Sequence, residues 1–129
     1  MIVVDTSVWI DYFNNTSNPQ TDVLESLLGN RLLGVGDIIV TEVLQGIRSD
    51  TVFNQVKSRL LSLVIVEMLN SQRAVRCAER YRRLRKRGIT TRRTIDLVIA
   101  SYCIDEGHSL LFSDRDFLPF VKHLGLKAI

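Results

Sequence analysis

Ile2-Val3-Val4-Asp5-Thr6-Ser7-Val8-Trp9-Ile10 decides how the chain folds. Three β-branched apolar residues make a short strand, and an acid followed by two hydroxyls closes it. Thr6 and Ser7 suit a helix cap, so the apolar residues behind them start a helix that reaches about Phe13. Strand, acid, helix is the opening of an alternating β-α unit, and three more acids stand at comparable points. Glu42 follows Ile38-Ile39-Val40-Thr41, Asp96 opens Leu97-Val98-Ile99-Ala100, and Asp114 follows Leu110-Leu111-Phe112-Ser113. Ligands of an open α/β sheet bind beyond the carboxyl ends of the strands, so the four positions are expected to converge in one crevice. Carboxylates crowded into a low-dielectric cleft repel one another. A hard divalent cation, Mg2+ or Mn2+, is the economical way to neutralise them. The pattern reads as a metal-dependent phosphodiester enzyme.

Outward from these acids the alternation continues. Asn14-Asn15-Thr16-Ser17-Asn18-Pro19 is a loop, and residues 20–29 form a helix with Val23, Leu24, Leu27 and Leu28 on one face. Residues 37–40 read as the second strand, with Thr41 capping a helix through Val43, Leu44 and Ile47. A helix over 51–62 leads to a third strand, Val64-Ile65-Val66. Residues 71–87 form a long helix with Ala74, Cys77, Ala78, Tyr81 and Leu84 facing inward and arginines outward, ended by Gly88. A helix over 94–106, a central strand over 110–112 and an edge strand over 126–129 complete the pattern. The expected architecture is one α/β domain over 1–129, with a mostly parallel sheet of four or five strands flanked by helices.

Composition narrows the class. With 129 residues and 46% hydrophobic content the chain can bury a core and is not a disordered segment. No apolar run approaches the ~20 residues of a membrane span. The start, Met1-Ile2-Val3-Val4-Asp5, has no basic leader and reads as a strand. Cys77 and Cys103 have neither zinc-site spacing nor a disulfide pattern, which favours buried thiols and the cytoplasm. Within a net charge of +3, residues 73–93 hold ten basic residues against Glu79 alone, so this segment is +9 and the remainder −6. A basic strip beside acidic surroundings is the footprint of a protein that holds a polyanion near metal-binding carboxylates.

Each acid has a plainer reading. Asp5 is a good helix N-cap, and Glu42 and Asp96 each sit in a first helical turn, where the macrodipole favours negative charge. Asp114 and Asp116 suit a turn after a strand. Singly, none is specific; four together in one small sheet favour a site. Asp11, Asp22, Asp37, Asp50, Asp105, Glu25, Glu67, Glu79 and Glu106 read as solvated surface. His108 and His123 lie outside these segments, which disfavours a metal-free histidine acid–base mechanism. Trp9, Tyr12 and Phe13 suit base stacking, core or a partner interface.

Val4-Asp5-Thr6-Ser7-Val8-Trp9-Ile10, Thr41-Glu42-Val43-Leu44-Gln45-Gly46, Asp96-Leu97-Val98-Ile99-Ala100 and Ser113-Asp114-Arg115-Asp116-Phe117 resemble the four motifs of PIN-domain ribonucleases, in order and across almost the whole chain. The resemblance is to the VapC-type toxins of toxin–antitoxin pairs. It implies a Rossmann-like sheet and a Mg2+-dependent endoribonuclease, with Mn2+ as a substitute. It also implies a homodimer and inhibition by a small cognate VapB-type antitoxin. By position, Asp5, Glu42, Asp96 and Asp114 would be the catalytic, metal-binding acids, with Asp116 as an auxiliary acid and Thr6 and Ser113 as polar supports. One or two divalent ions, the latter ~3.5–4 Å apart, would serve the hydrolysis. Products would carry 5′-phosphate and 3′-hydroxyl ends. Charge alone nominates Arg80, Arg83, Arg87, Arg92 and Arg93 for RNA contacts, against a solvated helix face or an antitoxin surface.

Rival readings stand further off. A HAD-type phosphatase needs a second aspartate two residues after the first, where this chain has Ser7. A receiver domain needs an acidic partner beside Asp5. The non-enzymatic alternative is a catalytically silent PIN-like module that binds RNA or protein.

Overall fold

The structure is a computed structural model that describes residues 1–29 and 32–129. Five parallel strands form its sheet: β1 (Ile2–Val4), β2 (Leu33–Gly36), β3 (Val64–Val66), β4 (Ser109–Leu111) and β5 (Lys127–Ala128). Their order is β3-β2-β1-β4-β5. The chain therefore steps outward from β1 on one side, then returns to its other side for β4. That reversal places the topological switch point between β1 and β4, where open α/β sheets carry their ligand crevice.

The helices are α1 (Thr6–Phe13), α2 (Pro19–Leu27), α3 (Asp37–Gln45), α4 (Asp50–Leu61), α5 (Ser71–Lys86), α6 (Thr94–Glu106) and α7 (Leu118–Leu124). β1 and β4 are apolar on both faces because helices cover both sides: Val3, Val4, Leu110 and Leu111 are buried. α6 is apolar all round and is buried from Asp96 to Cys103, as a helix without a polar stripe must be. Trp9 lies in the core, stacked on Phe13 at 5.8 Å between centroids. Among the described residues no helix is long and apolar enough to cross a membrane.

Three expectations need correction. The second strand is Leu33–Gly36, and residues 37–40 open α3 instead. Gly34 and Gly36 depress the strand signal, yet the fold needs them, since a Cβ on either would run into the thioether of Met1 or Met68. The β-branched Ile38-Ile39-Val40 turns helical because Ile39 and Val43, one turn apart, both bury. Asp37, read as solvated, accepts from the Ile38 and Met68 amides and ties the start of α3 to the chain beyond β3.

The second correction concerns α5. Ala74 and Ala78 are exposed, and the inward stripe is Arg73, Cys77 and Leu84. The third is a 3-10 turn (Arg115–Phe117) running into α7, absent from the expected pattern. Phe117 and Phe120 anchor both in the core. α5 does end as expected, on Gly88 with φ +80°.

Candidate metal centre

Asp5 ends β1 and caps α1, with φ −67° and ψ 155°. Its Oδ2 accepts from the Ser7 hydroxyl at 2.8 Å and the Ser7 amide at 3.4 Å. Its Oδ1 is buried with no hydrogen-bond partner among the described residues. Burial pushes this carboxyl up to about 6, against the Ser7 hydroxyl bond and with the Asp96 charge adding to the rise. The capping and site readings of Asp5 therefore describe different oxygens of one side chain. One oxygen caps the helix, and the other is left unserved.

Glu42 sits one turn into α3, where its Oε1 accepts from Thr6 Oγ1 at 2.6 Å. Asp96 lies in the first turn of α6 and is 2% exposed. Arg93, immediately before α6, donates to both Asp96 oxygens, from Nη2 at 2.7 Å and from Nε at 3.1 Å. Its Nη1 stands 3.8 Å from Glu42 Oε2. The bonds to Asp96 hold the guanidinium more firmly protonated than an ordinary arginine, and the charges of Glu42 and Asp5 add to this.

Asp114 precedes the 3-10 turn, and its Oδ1 accepts from the Asp116 amide at 2.9 Å. One carboxylate oxygen from each of Asp96, Asp114 and Asp116 lies within 4.8 Å of the others. The Ser113 hydroxyl is 3.4 Å from that of Ser7. The crevice thus has two halves that share Asp96. Asp5, Glu42 and Arg93 stand on one side, Asp114 and Asp116 on the other. Asp116, expected as auxiliary, belongs to the tightest oxygen cluster, whereas Glu42 is engaged by Thr6. Ser7 was missed as a supporting residue, although it directly follows Thr6 in the opening stretch.

The arginine strip divides. Arg80 does not face solvent: its Nη2 lies 2.6 Å from Asp105 Oδ1, and Arg73 and Arg76 each reach Asp105 Oδ2 at 3.0 Å. Arg73 also binds Glu106 at 2.8 Å. Asp105 is therefore not the solvated surface expected of it, whereas Glu106 is exposed as expected and still pairs with Arg73. They end α6, where the macrodipole disfavours an acid, and the α5 arginines compensate. Arg87 contacts His123 at 3.0 Å. Arg83 and Arg92 are exposed and make no ion pair among the described residues.

Among the described residues the crevice gathers hard carboxylate and hydroxyl oxygens, one of them buried without a hydrogen-bond partner. Such a donor set fits Mg2+ or Mn2+ rather than a softer ion. Cys77 and Cys103 are free thiols buried in the core, and His108 contacts the N-terminal amine.

The PIN domain model matches residues 2–120. The chain belongs to the PIN-domain family. It is 29% identical to the VapC ribonuclease Mb1587 of Mycobacterium bovis over 133 residues, covering 99% of this chain and 97% of that protein. Ribonuclease VapC11 of Mycobacterium tuberculosis matches with the same identity and coverage. Among solved structures, VapBC2 from Rickettsia felis bound to a promoter DNA fragment aligns over 100% of this chain and 98% of the matched chain. Its TM-score is 0.75 at 22% identity. FitAcB from Neisseria gonorrhoeae aligns over 100% and 96%, with a TM-score of 0.75 at 18% identity. At such identities these structures establish the PIN fold of the chain.

Proposed function

We propose that this PIN domain is a Mg2+-dependent endoribonuclease and the toxin of a VapC-type toxin–antitoxin pair. The observation that carries the proposal is the buried, unpartnered Oδ1 of Asp5 beside a convergent set of acids. A carboxylate oxygen removed from water without a partner costs about 1–3 kcal/mol or more, and a cation held there would offset that cost. Proteins named VapC ribonuclease, matched end to end, support the same assignment.

Asp96, Asp114 and Asp116 would hold the ion through their clustered oxygens, and Asp5 Oδ1 would be available as a further donor. When bound, a divalent ion supplies Lewis-acid activation of the phosphate and of a water. The chain's own residues do the positioning. Ser7 fixes one oxygen of Asp5 and leaves the other available. Thr6 fixes one oxygen of Glu42, and the other would orient a water. Arg83, Arg87 and Arg92 would track the RNA backbone, a sequence-independent and salt-sensitive contact. We assign the chain to the cytoplasm, where its two buried thiols stay reduced.

This reading includes a homodimer and a small VapB-type antitoxin. The solved structures of VapBC2 and FitAcB, matched in fold, support such a partner. A groove of about 920 Å³ lined by Tyr12, Phe13, Val52 and Arg59 supports its placement against α1 and α4.

End-chemistry sequencing of RNA fragments made by the purified, partner-free chain tests the mechanism. Fragments with 5′-phosphate and 3′-hydroxyl ends are expected. Cyclic 2′,3′-phosphate ends would overturn hydrolysis by a water, and a silent protein would return the reading to a binding module.

A further inference from the structure

Arg93 occupies the acidic crevice as a cation of the chain's own. Its guanidinium is 51% exposed as a side chain, yet it covers Asp96, whose side chain is 3% exposed, and reaches toward Glu42 at 11%. The fork on Asp96 uses both carboxylate oxygens, the planar geometry that makes arginine–carboxylate pairs strong and specific. Asp96 is also the one acid shared with the Asp114–Asp116 cluster. The fork takes up one lone pair on each Asp96 oxygen and sets a positive charge against the carboxylate, where it repels an incoming cation. Arg93 is not held by a helix cap, since its side chain makes no capping bond, and no other ion pair restrains it among the described residues. It is a tether with one contact set and an open path to solvent.

We propose that Arg93 is an internal latch that competes with the divalent cation for Asp96 and Glu42. The resting chain keeps Asp96 paired with the guanidinium, and the metal binds fully only when Arg93 swings out. The proposal rests on the reading of the crevice as a metal site. In that state the apparent affinity for the ion falls by the fraction of time the latch is open. A latch closed nine-tenths of the time lowers the affinity about tenfold.

The test is the dissociation constant of Mn2+, followed by its electron paramagnetic resonance signal in the full chain. Wild type, Arg93→Ala, Arg93→Lys, Arg92→Ala and Asp96→Asn are compared at fixed ionic strength. Arg93→Ala is expected to bind Mn2+ about tenfold more tightly, and its metal-free form to melt at a lower temperature than wild type. Arg92→Ala removes the same charge one residue away without touching the fork. It is expected to shift the constant less than about twofold, since exposed charges are screened by salt. Unchanged or weaker binding in Arg93→Ala overturns the latch, as does equal tightening in Arg92→Ala. If Arg93→Ala fails to fold, Arg93→Lys carries the test: it keeps the charge, loses the fork and is expected to bind more tightly than wild type. Failure of wild type to bind Mn2+ any better than Asp96→Asn would instead sink the metal site itself.

Discussion

Asp105 and Asp96 stand at opposite ends of α6, and each meets arginine, but the outcomes differ. Asp105 receives three guanidinium groups from one neighbouring helix and is 12% exposed as a side chain. Burial alone would raise its carboxyl, but the bonds from Arg80, Arg73 and Arg76 outweigh it and hold the group down at about 2. Asp96 receives one half-exposed arginine, and beside it Asp5 keeps an oxygen with no partner and a carboxyl pushed up to about 6. A network with surplus cations fastens two helices together. A network short of cations is a binding site. The sign of the imbalance, not the number of charges, separates structural ions from functional ones.

The comparison breaks most visibly at Arg73. It is 4% exposed, binds Asp105, Glu106 and the Met68 carbonyl, and lies 5.0 Å over the Tyr102 ring. Arg73→Ala removes a buried guanidinium that pairs with Asp105, Glu106 and the Met68 carbonyl, and is expected to cost about 2–3 kcal/mol in urea unfolding. A loss below about 1 kcal/mol would mean that Arg76 and Arg80 suffice, and the seam would then be no stronger than a surface pair.

At Asp5 the expected effect has the opposite sign. A carboxyl whose folded value is raised destabilises the fold above that value, and the penalty disappears once the group is protonated in both states. From 3.8 to about 6 the shift corresponds to about 3 kcal/mol as an order of magnitude. Asp5→Asn, which still caps α1, is expected to stabilise the metal-free chain by about 1–3 kcal/mol at pH 8 and to match wild type near pH 3. Calorimetry at the two pH values decides it; destabilisation at pH 8 would show that the oxygen is already satisfied.

Asp105 gives the mirror image. Its depressed value contributes stability that is present above 3.8 and lost as pH falls through about 2. In acid titrations Asp105→Asn should lose about 2 kcal/mol less than wild type between pH 4 and pH 2. Parallel titration curves would remove the arginine network from the stability of the chain.

The smallest effects are expected on the exposed arginines. Arg83→Ala and Arg92→Ala should each reduce the salt slope of RNA binding by about one, with stability unchanged within about 0.5 kcal/mol. Unaltered slopes would leave that face to a protein partner.

The acids themselves were legible in the sequence because each follows or opens a strong apolar run, as Asp5 does after Ile2-Val3-Val4 and Asp96 does before Leu97. β1, α6 and β5 followed from the same runs. β2 was not legible, because its two glycines serve the thioethers of Met1 and Met68, and that contact is tertiary. The Asp105 network was hidden for a related reason. In a run of ten basic residues nothing local marks Arg73, Arg76 and Arg80 as inward, and only the neighbouring end of α6 selects them. The role of Arg93 was hidden likewise: three residues before Asp96, it reads as part of the basic strip until the fork is seen.

The measurement that bears most directly on the crevice is incubation of the purified chain with a labelled total-RNA pool, with Mg2+, with EDTA, and with Asp96→Asn in Mg2+. Discrete products that vanish both with the chelator and with the variant are the predicted result. Cleavage that survives either would contradict a metal-dependent site at Asp96.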